Sequence, residues 1–213
     1  MADSDINGLA QAQADYVDPT DELIIQKAGQ TSCTKIQVDD LFGGWKDLMP
    51  YEYTNGLASA APTFKAFPAS AISDWAFGVG DERWLKYHTD HDMKQSATMY
   101  PHLHITTSGT STNVVRFQID YALVNSHGVA QWPGTVTTDT IDTTPTGVAM
   151  TQYTTEGVGI ATPLPDTLIH MRVRRVSNGA VTNPDTVWLH AVDWHYPTQM
   201  FATKNRVPNF YAG

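Results

Sequence analysis

The sequence predicts an all-β protein: an antiparallel β-sandwich of jelly-roll type, preceded by an extended N-terminal arm that carries a small β-hairpin. Three observations point there. From residue 81 onward, short runs alternate apolar and polar residues with a period of two, the repeat of a half-buried strand. Stretches rich in turn formers, "TSGTST", "NSHG", "DTTPTG" and "SNGAVTNPD", separate these runs. Charged residues make up 16% of the chain, against roughly 25% in soluble domains generally. Neutral polar residues, Thr above all, fill the difference, and a β-branched hydroxyl residue tolerates the pleat while facing water.

Residues 1–20 are polar, rich in Ala, Gln and Asp, and without periodicity, which reads as a mobile arm. "DELIIQKAGQTSCTKIQVDDLF" then reads as a strand, a turn at Gly29, a second strand and a helical start at Asp39 or Asp40. Two short strands make no stable core alone, so this unit must lean on the body or on another chain. The expected division is therefore an arm and hairpin module over 1–44 and a sandwich domain over 45–213. Residues 45–80 mix aromatics with Pro, Ala and Gly and hold no helical period, so irregular structure with short strands is expected.

Candidate strands follow at 83–88, 99–107, 113–124, 134–140, 147–155, 167–176 and 186–196. In "VVRFQIDYALV", Val115, Phe117, Ile119, Tyr121 and Leu123 alternate with Arg116, Gln118, Asp120 and Ala122. "LIHMRVRRV" sets Ile169, Met171 and Val173 against His170, Arg172 and Arg174, with Arg175 on the opposite face from Arg172 and Arg174. A chain of 213 residues with 41% hydrophobic content can bury a core of this kind.

Charge narrows the partners. The net charge is −9 with no basic patch, which argues against nucleic acid. Residues 1–44 carry eight acids against Lys27 and Lys35, whereas residues 45–213 carry fourteen acids and eleven bases. An acidic arm thus precedes a nearly neutral body. Cys33 is the only cysteine, so no intrachain disulfide and no thiolate metal cluster is expected. No run approaches the ~18 apolar residues of a membrane span. The start lacks the basic and apolar regions of a secretory signal, and the expectation is a protein made and folded in a cytoplasm.

Catalytic constellations are weak. "HTDHDMKQSATMYPHLHI", residues 88–105, holds four of the eight histidines. His102 and His104, two apart on a strand, leave the same face and could offer two imidazoles to a metal. A cupin-type site also needs a carboxylate soon after the pair, and none comes before Asp120; His190 or His195 could be the remote ligand. His88, Asp90, His91 and Asp92 match no standard spacing. The primary expectation is no metal and no cofactor, with His88, His91, His102 and His104 as the lesser, metal-binding alternative. There is no G-x-S-x-G elbow, P-loop or dinucleotide fingerprint, nothing near Cys33 to lower its pKa, and the acid pairs Asp90/Asp92 and Asp139/Asp142 read as turn and strand-edge residues. The chain reads as a non-enzyme.

Two other features bear on partners. Six Trp and nine Tyr could line a sugar-binding surface. Trp188 and Trp194, on one face of "VWLHAVDWHY" by simple alternation, read instead as core or subunit-interface residues. Arg172 and Arg174 form either a solvated strand face or the partners of acids on a neighbouring subunit.

Two segments resemble known proteins. "DELIIQKAGQTSCTKIQVDDLF" resembles a module near the N-termini of tailed-phage fibre, head-fibre and other virion proteins, an "I-x-Q-x-G-x-T-x-K-x-x-x-x-D-L"-like run carried here by Ile25, Lys27, Gly29, Thr31, Lys35, Asp40 and Leu41. Over residues 75–196 the chain resembles a family of phage virion proteins reading "F-x-x-H-x-x-H-D", "Y-x-H-x-H-W", an amphipathic strand, then "D-x-H-Y". The matching positions are His88, His91, Asp92, Tyr100, His102, His104, Asp193, His195 and Tyr196, with Thr106 departing near where members carry Trp. The resemblance implies a jelly-roll-like domain that assembles as homotrimers on a virion in the host cytoplasm. The implied role is capsid decoration or cement on the major capsid protein, with Ile25, Lys27, Lys35, Asp40, Leu41, Arg172, Arg174, Trp188 and Trp194 as interface candidates. A head-fibre, collar or tail adhesin that binds a host-surface glycan is the alternative.

Overall fold

The computed structural model of the protein describes residues 22–25, 34–37, 44–54, 61–94, 97–124, 135–161 and 165–198. Alternating sequence becomes strand wherever it was strongest. The expected strands appear as β7 (Glu82–His88), β8 (Thr98–Thr107), β9 (Val115–Val124), β10 (Val136–Thr143), β11 (Gln152–Glu156), β13 (Leu168–Val176) and β14 (Val187–Pro197). The run expected from 147 begins only at Gln152, because Gly147 and Met150 hold φ of 82° and 59°, left-handed values that no strand accommodates.

The aromatic stretch before residue 80 supplies short strands: β3 (Trp45–Leu48), β4 (Glu52–Thr54), β5 (Thr63–Ala66) and β6 (Ser73–Phe77). A two-residue β12 (Ile160–Ala161) pairs with β8. The expected hairpin is present as β1 (Glu22–Ile25) and β2 (Thr34–Gln37), paired antiparallel and, among the described residues, hydrogen-bonded to no other strand. Ile25 and Lys35 fall in these strands; Lys27, Asp40, Leu41 and the expected helical start lie outside the described residues. Among the described residues the only helical segment is a 3-10 turn at Gly179–Val181.

The body is a sandwich of two antiparallel sheets, β10-β9-β13-β7-β4 and β11-β8-β14-β6-β5, with β3 added beside the C-terminal half of β14. Its connectivity is that of a jelly roll. Leaving aside β12, the eight strands from β6 to β14 pair outermost with outermost: β6 with β14, β7 with β13, β8 with β11 and β9 with β10. The inward residues of both sheets meet in one core. Phe117, Ile119, Ile169, Met171, Val173, Leu85 and Tyr87 come from one sheet, and Leu103, Ile105, Val187, Val192, Trp194 and Tyr196 from the other. The Trp194 ring stands edge-on to Tyr87 and Tyr121, with centroids 6.4 and 5.5 Å away.

Strand β14 does not alternate uniformly. Its register against β8 shifts between Leu189 and Ala191, so that one extra residue is inserted. This β-bulge reverses the parity of the strand. Trp188, opposite the outward Thr106, lies outside the sandwich, where Phe67 covers it with ring centroids 4.8 Å apart. Trp194 lies inside. The two tryptophans therefore do not share a face, which corrects the expectation from simple alternation. Both are buried by the chain itself, at 2% and 0% exposure, so neither has surface to offer a second subunit and both leave the set of interface candidates.

Truncation of Trp194 to Ala is expected to cost about 3–5 kcal/mol of stability, the range for emptying a fully buried indole site. Urea denaturation followed by circular dichroism measures it, and a loss below ~1 kcal/mol would show that Trp194 does not sit in the core.

Candidate functional site

The bulge that buries Trp194 turns Asp193 and His195 outward. There they join residues from three other strands. Asp193 stands opposite His102 and His195 opposite Tyr100 across the β14–β8 ladder. Asp47 of β3 pairs with His195, and Glu156 of β11 lies beside His102 on its other side. His104 follows His102 on the same face, as its spacing predicts.

The result is a compact group of imidazoles and carboxylates on the outer surface of the seven-stranded sheet. His102 and His104 meet edge-on with centroids 4.6 Å apart, and His102 and His195 lie 4.0 Å apart. His102 Nδ1 is 3.2 Å from Asp193 Oδ1, and His104 Nε2 is 3.3 Å from Asp193 Oδ2. His195 Nε2 reaches Asp47 Oδ1 at 2.8 Å. Although they lie on the outer face of the sheet, His102 and Asp193 are only 8% and 2% exposed. Burial pushes the His102 imidazole below its ordinary pKa, and the nearby His195 and His104 add to this. Burial also pushes the Asp193 carboxyl up, against the pull of the imidazoles.

Beside this group, Trp45 and Tyr100 approach with ring centroids 5.8 Å apart. With Glu156 and His195 they line a cleft of about 510 Å³. Further along the same face His190, displaced outward by the bulge, bridges Asp74 Oδ2 at 2.7 Å and Thr106 Oγ1 at 2.9 Å.

The other candidate residues go elsewhere. His88, at the end of β7 in the opposite sheet, pairs with Asp166 at 2.6 Å, and His91 lies in the turn that follows. The four histidines of the metal alternative thus divide into two pairs, and only His102 and His104 share a site. Asp90 and Asp92 form a clamp instead. Lys46 Nζ lies 2.7 and 3.2 Å from them, and the Tyr196 hydroxyl donates to Asp92 at 3.0 Å. The hydrogen bond to Asp90 holds the Lys46 ammonium above its ordinary range, against the cost of its burial.

Arg172 and Arg174 face outward from the five-stranded sheet, as alternation predicts. Arg172 meets acids of its own chain: Nη2 lies 2.6 Å and Nε 2.8 Å from Asp120 Oδ2, and Nη1 3.4 Å from Glu82. Its guanidinium is thereby engaged before any second subunit arrives. Arg175, on the inner side, donates to the carbonyls of Phe77, Asn183 and Asp185 and ties the end of β6 to the segment before β14.

In the sequence Asp193 stood out only as a motif position, and its place beside His102 and His104, like that of Asp47 and Glu156, was missed. A cupin-like pattern would place the carboxylate shortly after His104, whereas here it arrives from β14, directly across the ladder. The signal was available: "D-x-H-Y" puts Asp193 and His195 on one face of a strand.

No family model and no curated protein matches the chain. Among solved structures it is similar to CsCBM6-3 from Clostridium stercorarium in complex with cellobiose, with 13% identity over 72% of this chain and 93% of that one and a TM-score of 0.37. It is similar also to a β-1,3-glucan-binding CBM6 from Bacillus halodurans, at 15% identity over 70% and 96% and a TM-score of 0.33. A family 35 carbohydrate-binding module from Clostridium thermocellum gives 12% identity over 71% and 97% and a TM-score of 0.34. At TM-scores this low the fold rests on the strand pairing itself, independent of these likenesses.

Asp120 offers a test by pH. Burial raises the cost of its charge, yet hydrogen bonds from Thr138, Arg172 and Gln118 win, and its pKa lies below the ordinary aspartate value. Between that depressed value and the ordinary one, the unfolded chain binds more protons than the folded chain, so stability rises with pH. The increment is therefore full above the ordinary aspartate range and is lost on acidification through the folded value. Asp120→Asn is expected to lose about 1–3 kcal/mol at pH 7 and to show a flatter acid limb in urea denaturation. A variant as stable as the parent at neutral pH would remove the pair from the account.

Proposed function

We propose that the chain is a structural protein of a tailed-phage virion: a capsid decoration or cement protein that assembles as homotrimers on the shell of major capsid protein, in the host cytoplasm. Its arm and hairpin, residues 1–44, would reach into neighbouring molecules. The observation that carries this reading is an aromatic edge on the sandwich. Strands β4 and β5 are the terminal strands of the two sheets on the same side. There Tyr53, Arg83, Trp75 and Phe64 form a continuous stack, with the Arg83 guanidinium 5.1 Å from the Tyr53 ring and 4.5 Å from Trp75, and Phe64 5.3 Å from Trp75. Tyr53 and Phe64 remain 46% and 60% exposed. A contiguous exposed aromatic patch on a sheet edge that is unpaired among the described residues has the composition of a subunit contact.

The hairpin supports the same reading. Among the described residues its two strands pair with each other alone, and a two-stranded hairpin is marginal without a further surface to pack on. The resemblance of two segments to virion proteins supports a virion protein as the partner that supplies that surface. Neither nucleic acid nor membrane enters this reading, and it assigns no reaction.

A second reading, a head-fibre, collar or tail adhesin for a host-surface glycan, is favoured by the Trp45–Tyr100 cleft. Two aromatic rings with a carboxylate and an imidazole alongside suit a sugar, stacking on its apolar face and bonding its hydroxyls.

Copy number separates the two. Quantitative mass spectrometry of purified particles is expected to find the chain at hundreds of copies; a few to a few tens would replace the cement reading with the adhesin. Deletion of residues 1–44 is expected to leave a folded sandwich that binds shells far more weakly. Equal decoration by the truncated protein would overturn the role of the arm.

A further inference from the structure

We propose that His102, His104 and Asp193 bind a single divalent transition-metal ion of the zinc class, which pins β8 to β14. The proposal is independent of the virion reading and rests on these side chains alone. One donor atom from each residue lies within 4.8 Å of the other two. His102 Nδ1 and Asp193 Oδ1 stand 3.2 Å apart, yet neither is in hydrogen-bond geometry with any group, and both atoms are shielded from solvent. Buried polar atoms in folded proteins are nearly always satisfied, and each that is not costs stability. Two such atoms facing each other share an unmet need that one cation fulfils.

The separations suit a shared ion. Zinc bonds to imidazole and carboxylate run about 2.0–2.1 Å, so tetrahedral angles set neighbouring donors about 3.3 Å apart and right angles about 2.9 Å. The imidazole–carboxylate separations here are 3.2 Å to Asp193 Oδ1 and 3.3 Å to Asp193 Oδ2. Each is a separation that two ligands of one zinc ion span, with one imidazole facing each carboxylate oxygen. Two imidazoles and one carboxylate also suit a borderline transition ion better than calcium or magnesium, which take oxygen ligands.

Asp193 belongs to a second trio with Asp47 and His195. There, however, His195 Nε2 is already paired with Asp47 at 2.8 Å. The two donors without a hydrogen bond, His102 Nδ1 and Asp193 Oδ1, belong to the trio of His102, His104 and Asp193. Its fourth position faces solvent on the side of His104, whose side chain is 26% exposed.

The test uses the full chain, stripped with a chelator, incubated with equimolar zinc, desalted and analysed for metal by mass spectrometry. The wild type is expected to retain one zinc per chain and to melt at a higher temperature than the stripped protein. His104→Gln and Asp193→Asn are expected to reduce retained zinc to background, and His88→Gln to retain all of it. Circular dichroism checks folding; if Asp193→Asn does not fold, His104→Gln, at a partly exposed position, decides. A folded wild type that retains no zinc overturns the proposal. So does a folded His104→Gln that retains as much as the wild type, or a His88→Gln that loses it.

Discussion

One inserted residue in β14 organises the molecule. A strand that alternated without interruption would send Trp188 and Trp194 to the same side, and Asp193 and His195 into the sandwich with Val187 and Leu189. The bulge at His190 and Ala191 prevents this by letting two residues of β14 oppose one of β8. Before it, odd-numbered residues face the core; after it, even-numbered ones do. The core gains Val192, Trp194 and Tyr196, and the outer face gains a carboxylate and an imidazole beside His102 and His104. Charged side chains in the apolar interior would cost several kcal/mol each, so the displaced register is what makes the sequence of β14 compatible with a sandwich at all.

The two outer faces then handle charge in different ways. On the five-stranded sheet, acids and bases alternate across neighbouring strands, so that Arg116 meets Asp142 and Arg172 meets Asp120 and Glu82. Every one of these pairs lies within the chain and tiles the face with opposite charges. On the seven-stranded sheet, three imidazoles gather round Asp193, and no lysine or arginine takes part in the ion pairs of that group. The first arrangement is complete in itself. The second leaves donor atoms turned toward a common point.

The legible parts of the fold were those with long periodicity. Strands β9 and β13 were readable almost residue by residue, because nine or ten alternating positions leave little choice of register. Strands β3 to β6 were not, since three to five residues carry too few repeats to stand out among Pro, Ala and Gly. The pairing of His102 with His104 followed from spacing alone. The Asp193 partner did not, because cross-strand neighbours are set by topology, and the switch of apolar residues from odd to even positions along β14 does not tell which strand lies opposite. Arg172 shows the same limit: its outward face was readable, but the acids that occupy it come from β7 and β9.

The outermost-with-outermost pairing has a consequence for how the chain acquires its shape. The backbone of Gly44 is bonded to Thr198 across 154 positions, and β14 is flanked by β8, β6 and β3, all of which precede it by a long interval. The seven-stranded sheet stays split until its central member has been synthesised. Contacts so distant in sequence repay the entropy of loop closure only late, which makes for slow folding. Until then β8 and β6 present bare hydrogen-bonding edges to β14's side, the kind of surface through which partly folded chains pair with one another.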